Sequence, residues 1–134
     1  MKLNTVFTIA AVIMIVLGLA QLLAPAAMAT GAGMGDSPSP AFIMTIRFAG
    51  AEFFGLGLIA WLVRNAEASK ARDAVTLGFT IYFALHALTS LYGQLTAISS
   101  PVGWVAVALQ GLLTVGFFMT GRASMSTTLA KSAN

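Results

Sequence analysis

Thr45-Ile-Arg-Phe-Ala-Gly-Ala-Glu-Phe-Phe-Gly-Leu-Gly-Leu58 is an apolar stretch that carries two ionisable residues, Arg47 and Glu52. It lies inside a longer apolar run, Pro40 to Val63, which as a helix crosses the roughly 30 Å hydrocarbon core of a bilayer. Reading that run as a membrane span decides the fold, because the chain contains three more apolar runs of similar length. A charge at the centre of a membrane helix costs about 2.5–3.5 kcal/mol, so Arg47 and Glu52 are expected to face a bundle interior and to mark a site.

The composition agrees with a membrane reading. Of 134 residues 58% are hydrophobic and 8% charged, with a mean hydropathy of +0.90. Soluble domains carry about 25% charged residues, and so little polar sequence cannot cover four long apolar runs. A net charge of +3 and a pI near 9.8 do not point to nucleic acid, since the basic residues are scattered in loops. The absence of cysteine excludes disulfides, a thiolate nucleophile and a Cys-ligated metal.

Working outward, the expected spans are about 5–24, 40–63, 74–93 and 101–120, an all-α integral membrane four-helix bundle in one domain over residues 1–121. The first run is followed by Ala27-Met28-Ala29, which has the form of a signal-peptidase site. It exceeds the roughly 7–15 residues of a signal h-region, so an uncleaved first helix is the preferred reading and cleavage the alternative. Pro25 disfavours helix at Ala24 and stops this span. Residues 26–39 read as a flexible Ala/Gly/Ser/Pro loop, and Gly31-Ala-Gly33-Met-Gly35 lacks the strand that a dinucleotide fingerprint requires.

Ser39-Pro40 supplies an N-cap and a proline at the first helical position, and Ser100-Pro101 repeats the pattern before the fourth span. Trp61 and Trp104 suit interface depths, with Arg64 reaching toward the headgroups. The third span is expected to end near Gly93 and the fourth at Gly121, leaving 122–134 as a disordered tail. Lys2, Arg64, Lys70, Arg72, Arg122 and Lys131 all fall on one side of these spans, and the two opposite loops contain no Lys or Arg. The positive-inside rule then places both termini in the cytoplasm.

At about 1.5 Å per residue, Glu52 and Gln110 share the midplane and His86 lies roughly 3–4 Å toward the outside. Arg47 sits roughly 8 Å outward of Glu52, near Thr89, Ser90, Gln21 and Tyr92. At about 100° per residue Glu52 is turned about 140° from Arg47, so the two are not expected to pair along their helix. Tyr82, His86, Thr89 and Gly93 form one stripe on the third helix. Gly50, Ala51, Gly55 and Gly57 offer small surfaces for close helix packing.

Two readings of the polar layer follow. Glu52, His86 and Gln110 hydrogen-bond one another as interhelical glue, with Arg47 satisfied by carbonyls, a headgroup or Tyr92. Otherwise Glu52 and His86 form a protonatable pair lining an outward-facing pocket. Ligation of a pigment or haem metal by His86 alone is a third, weaker reading. No metal-ligand cluster, ordered catalytic triad or second carboxylate near Glu52 accompanies these residues, so neither a catalytic residue nor a metal site is assigned, and no cofactor is named.

Arg47-Phe-Ala-Gly50, the run from Gly55 through Trp61 to Arg64, and the region from Gly93-Gln94 to Gly103-Trp104 together resemble a family of small, uncharacterised bacterial four-helix membrane proteins of DoxX-like type. The resemblance spans most of residues 1–120 and implies the four-helix fold and an accessory role beside membrane redox complexes. The function expected is a non-catalytic accessory subunit or scaffold, embedded in the lipid bilayer and packed against other membrane subunits or itself, without nucleic acid. The alternative is a small binding or transport protein whose polar pocket takes a quinone, a lipid or a small anion.

Overall fold

The computed structural model describes residues 2–33, 35, 37–96 and 100–132, with side chains described as far as Met125. They form α1 (Leu3–Leu23), α2 (Pro25–Gly31), α3 (Pro40–Val63), α4 (Lys70–Leu95) and α5 (Gly103–Ser132), and no strand. Four of these, all but α2, are long and apolar enough to cross a membrane. The protein is an all-α, multi-pass membrane bundle.

Local chemistry explains most helix ends. Ala24 leaves helical geometry at φ −132°, and Pro25 then opens α2 at its first position. That short helix replaces the first part of the expected flexible loop, because proline preorganises the first turn and Ala26, Ala27, Met28 and Ala29 sustain it. Ser39 Oγ accepts the Phe42 N–H at 3.2 Å and starts α3 as expected.

α4 begins at Lys70, earlier than residue 74, since Ser69 Oγ accepts the Arg72 N–H at 3.3 Å and Asp73 complements the first turn. It also continues past Gly93 to Leu95, where Thr96 Oγ1 donates to the Tyr92 carbonyl at 2.8 Å. Pro101 does not open α5. Ser100 O accepts the Gly103 N–H at 2.9 Å in a tight turn, and the helix starts at Gly103.

The expected stop at Gly121 and the disordered tail are likewise corrected, for α5 runs through both to Ser132. Glycine is there for proximity: a Cβ at Gly121 would lie 2.8 Å from Thr76 Cγ2 on α4. Beyond it, Ala, Met, Leu and Lys residues support continued helix.

The helices pack as two pairs, α1 on α3 and α4 on α5, joined where α1 meets α5. α2 lies on α1 and α3, while α3 and α4 make little backbone contact and leave a crevice. The α1–α3 seam is glycine-led. A Cβ on Gly18 would lie 2.6 Å from Phe54 N and 2.8 Å from Gly50 O, and one on Gly57 would lie 3.0 Å from Ile15 N.

Gly50 and Gly57, two turns apart, therefore share the seam with buried Ala60. Ala51 and Gly55 do not: both are exposed, with nothing within 4 Å of a Cβ at Gly55. Their positions on the helical wheel turn them away from the face that Gly50 and Gly57 define.

Phenylalanines fill the terminal half of the bundle. Phe7 on α1 lies 5.0 Å from Phe117 and 5.8 Å from Phe79 between ring centroids, and Phe83 stacks on Phe117 at 5.8 Å. Leu3, Val6, Ala10, Met14 and Leu113 complete this buried core. The other half is not filled in the same way, and both candidate sites lie toward it.

Candidate functional site

The crevice between α3 and α4 holds the ionisable residues. Glu52 Oε1 lies 3.9 Å from His86 Nε2, with the side chains 52% and 37% exposed. His86 rests against Tyr82, ring centroids 4.3 Å apart, and against Phe53 at 5.9 Å. The Tyr82 hydroxyl is buried near Glu52, with no hydrogen-bond partner of good geometry among the described residues. Glu52, Tyr82, Leu85, His86 and Thr89 line a space of about 370 Å³ that opens on this side of the bundle.

An ion pair so open and so long contributes little to holding helices together. Interhelical polar contacts in membranes average about 0.6 kcal/mol, so Glu52→Gln is expected to shift unfolding in detergent by about that much. A loss several times larger would make the pair a structural clasp.

Gln110 does not join Glu52 and His86. Its Oε1 accepts from Ser90 Oγ at 2.9 Å, which corrects the three-residue layer expected from depth alone. Ser90 lies one turn beyond His86 on α4, and Phe53, whose ring packs on Tyr82 and His86, also lines the space around Gln110 and so stands between the two groups.

That second space is a cavity of about 460 Å³ in the half opposite the termini. Ile13, Met14 and Leu17 of α1, Phe83 of α4, and Leu109 and Leu113 of α5 form apolar walls. Met28, Ala32, Ser100 and Val102 border it at the end of the bundle. Both connections meet there, since Gly33, at φ +78°, leaves room for Ser100, whose Cβ would lie 2.9 Å from an added Cβ.

Ser90, Gln94, Ser100 and Gln110 are the polar residues of the lining. Gln94 Nε2 donates to Ser100 O at 3.1 Å and ties the α4–α5 connection to the helix. The Gln110 amide makes one side-chain bond, to Ser90, so its other end is left without a partner among the described residues whichever way the amide is turned.

The remaining expected residues lie elsewhere. Arg47 is exposed, has no carboxylate within bridging distance among the described residues, and lines neither space. Tyr92 is exposed as well. Sequence reasoning placed Ser90 with Arg47 by depth and missed its pairing with Gln110. The visible signal is the i, i+4 spacing that carries the row of Tyr82 and His86 on to Ser90 and Gln94.

No protein-family model, curated protein or solved structure matches the chain.

Proposed function

We propose that this chain is a non-enzymatic membrane protein that holds an uncharged, lipid-like molecule with a carbonyl or hydroxyl head, in the quinone or neutral-lipid class. The observation that carries the reading is the apolar cavity of about 460 Å³ with the Gln110 amide facing into it half-satisfied. Pockets for small apolar ligands are of this size and place a few polar groups to orient the head. A small anion fits less well, because no Lys or Arg is among the residues around the cavity and Arg47 lies apart.

Gln110→Leu keeps the side-chain volume and removes the hydrogen bond to the head, which contributes about 0.5–1.5 kcal/mol. Titration calorimetry of the detergent-purified protein with a short-chain benzoquinone and with a monoacylglycerol is expected to show binding of one of them, weakened about fivefold in Gln110→Leu. Unchanged affinity in the variant, or no binding of either ligand, rejects the reading.

A second reading, an accessory subunit that packs on a partner helix, is favoured by the crevice between α3 and α4, where backbones barely meet and Glu52 and His86 face outward. The two readings are compatible, since the crevice and the cavity share only the Phe53 wall. We further propose a bacterial inner-membrane location, which rests on the family resemblance, with the Lys2, Arg64 and Arg72 end in the cytoplasm, which rests on the one-sided distribution of basic residues. The DoxX-like resemblance belongs with this proposal and supports a small accessory role.

A further inference from the structure

At the end of the bundle opposite the apolar cavity is a recess of about 480 Å³ with a different chemistry. Lys2 just ahead of α1, Arg64 at the C-cap of α3 and Arg72 in the first turn of α4 line it, with Asn4, Asn65 and Thr120 between them. Three cations from three chain segments repel one another in so small a space. Among the described residues none of the three has a carboxylate within 4.0 Å. The nearby buried carboxylate, Asp73, accepts from Ser124 Oγ at 3.4 Å and is not part of the lining.

The arginines are held in place by contacts that leave their charge unneutralised. Arg64 stacks over Trp61, 3.5 Å from the ring centroid, and its Nη1 donates to the Trp61 carbonyl. Arg72 Nη2 donates to Arg64 O at 3.2 Å, while Arg72 Nε is buried with no hydrogen-bond partner. A buried donor of a charged group left unpaired costs free energy unless a ligand satisfies it. Trp61 and Arg64 also mark this as the level where a span ends and lipid phosphates lie.

We propose that this recess binds a phosphate-bearing anion, supplied by the headgroup of an anionic phospholipid lying against the bundle. The three cations select net negative charge, and Arg72 Nε with the Asn4 and Asn65 amides supplies donors to the phosphate oxygens. The proposal is independent of what fills the apolar cavity.

The test measures thermal unfolding of the full chain in detergent against added short-chain phosphatidylglycerol, phosphatidylcholine of the same chains, and inorganic phosphate. Phosphatidylglycerol is expected to raise the midpoint in a saturable way, with phosphatidylcholine and inorganic phosphate at equal concentration giving little. Lys2→Gln and Arg72→Gln are each expected to weaken the phosphatidylglycerol effect about fivefold. Lys2 is exposed and makes no side-chain capping bond to α1, so its variant remains informative if Arg72→Gln fails to fold. Equal stabilisation by both lipids, or an undiminished phosphatidylglycerol effect in Lys2→Gln, overturns the proposal. Inorganic phosphate acting as strongly as phosphatidylglycerol overturns the lipid as the source of the anion.

Discussion

Gly18→Leu is expected to separate α1 from α3 and to cost about 3 kcal/mol or more, beyond the ordinary range for overpacking. The reason is what the new side chain would meet. Its Cβ alone would lie 2.6 Å from Phe54 N, 2.8 Å from Gly50 O and 3.0 Å from Phe54 Cα, all main-chain atoms that no rotamer change can move. Relief requires α1 and α3 to part along the seam that also includes Gly50 and Gly57. Inside lipid no hydrophobic force pulls them together again, because tails are as apolar as the side chains, and close packing is what the seam contributes. Gly55→Leu is the control, on the partner helix α3 but facing open space, and should stay within about 0.5 kcal/mol of wild type. Reversible unfolding in mixed micelles of increasing denaturing-detergent fraction reads both. If Gly18→Leu and Gly55→Leu unfold together, the seam is not what joins the pair.

That contrast also marks how far the sequence could be read. Gly50, Ala51, Gly55 and Gly57 look equally suited to close approach as a string of small residues, yet only Gly50 and Gly57 are in the seam. Depth along a span follows from residue number, whereas direction around it depends on which helix stands next, and α3 turns its glycines to α1 rather than to α4. The same limit separated Gln110 from Glu52 and His86. All three share a depth, but Phe53 stands between the crevice and the cavity. Signals that act within one or two turns were legible: Pro25 ending α1, Ser39-Pro40 starting α3, and the apolar length of each span. Where a local signal misled, a tertiary contact outweighed it. Gly121 reads as a stop and instead lets Thr76 approach α5.

Packing is unevenly distributed between the two halves of the bundle, and the unevenness bears on function. Four phenylalanines close the end near the termini, so α1, α4 and α5 have a rigid attachment there. The opposite half can then remain hollow without losing the fold. A cleft lined by apolar side chains forfeits dispersion contacts that a filled one makes. A molecule filling that cleft would restore such contacts and give the Gln110 amide a second partner.

Filling the void with the protein's own side chain separates these two consequences. Ala106 lines the cavity from α5, and Ala106→Phe places a ring in the space a ligand would take. Binding of the quinone or monoacylglycerol identified with the wild type is expected to fall about 100-fold or more, since losing most apolar contacts of a ring-sized group removes about 3 kcal/mol. Thermal stability of the unliganded protein should hold or rise, because the ring gains contacts that the empty cavity lacks. The opposite signs are the diagnostic. A variant that binds poorly because it is misfolded loses stability and affinity together, whereas an occupied cavity loses affinity alone. Glu52→Gln, across the Phe53 wall, should leave the affinity unchanged in the same titration. Retention of wild-type affinity in a well-folded Ala106→Phe would move the ligand out of the cavity, and sensitivity to Glu52→Gln instead would place it in the crevice between α3 and α4.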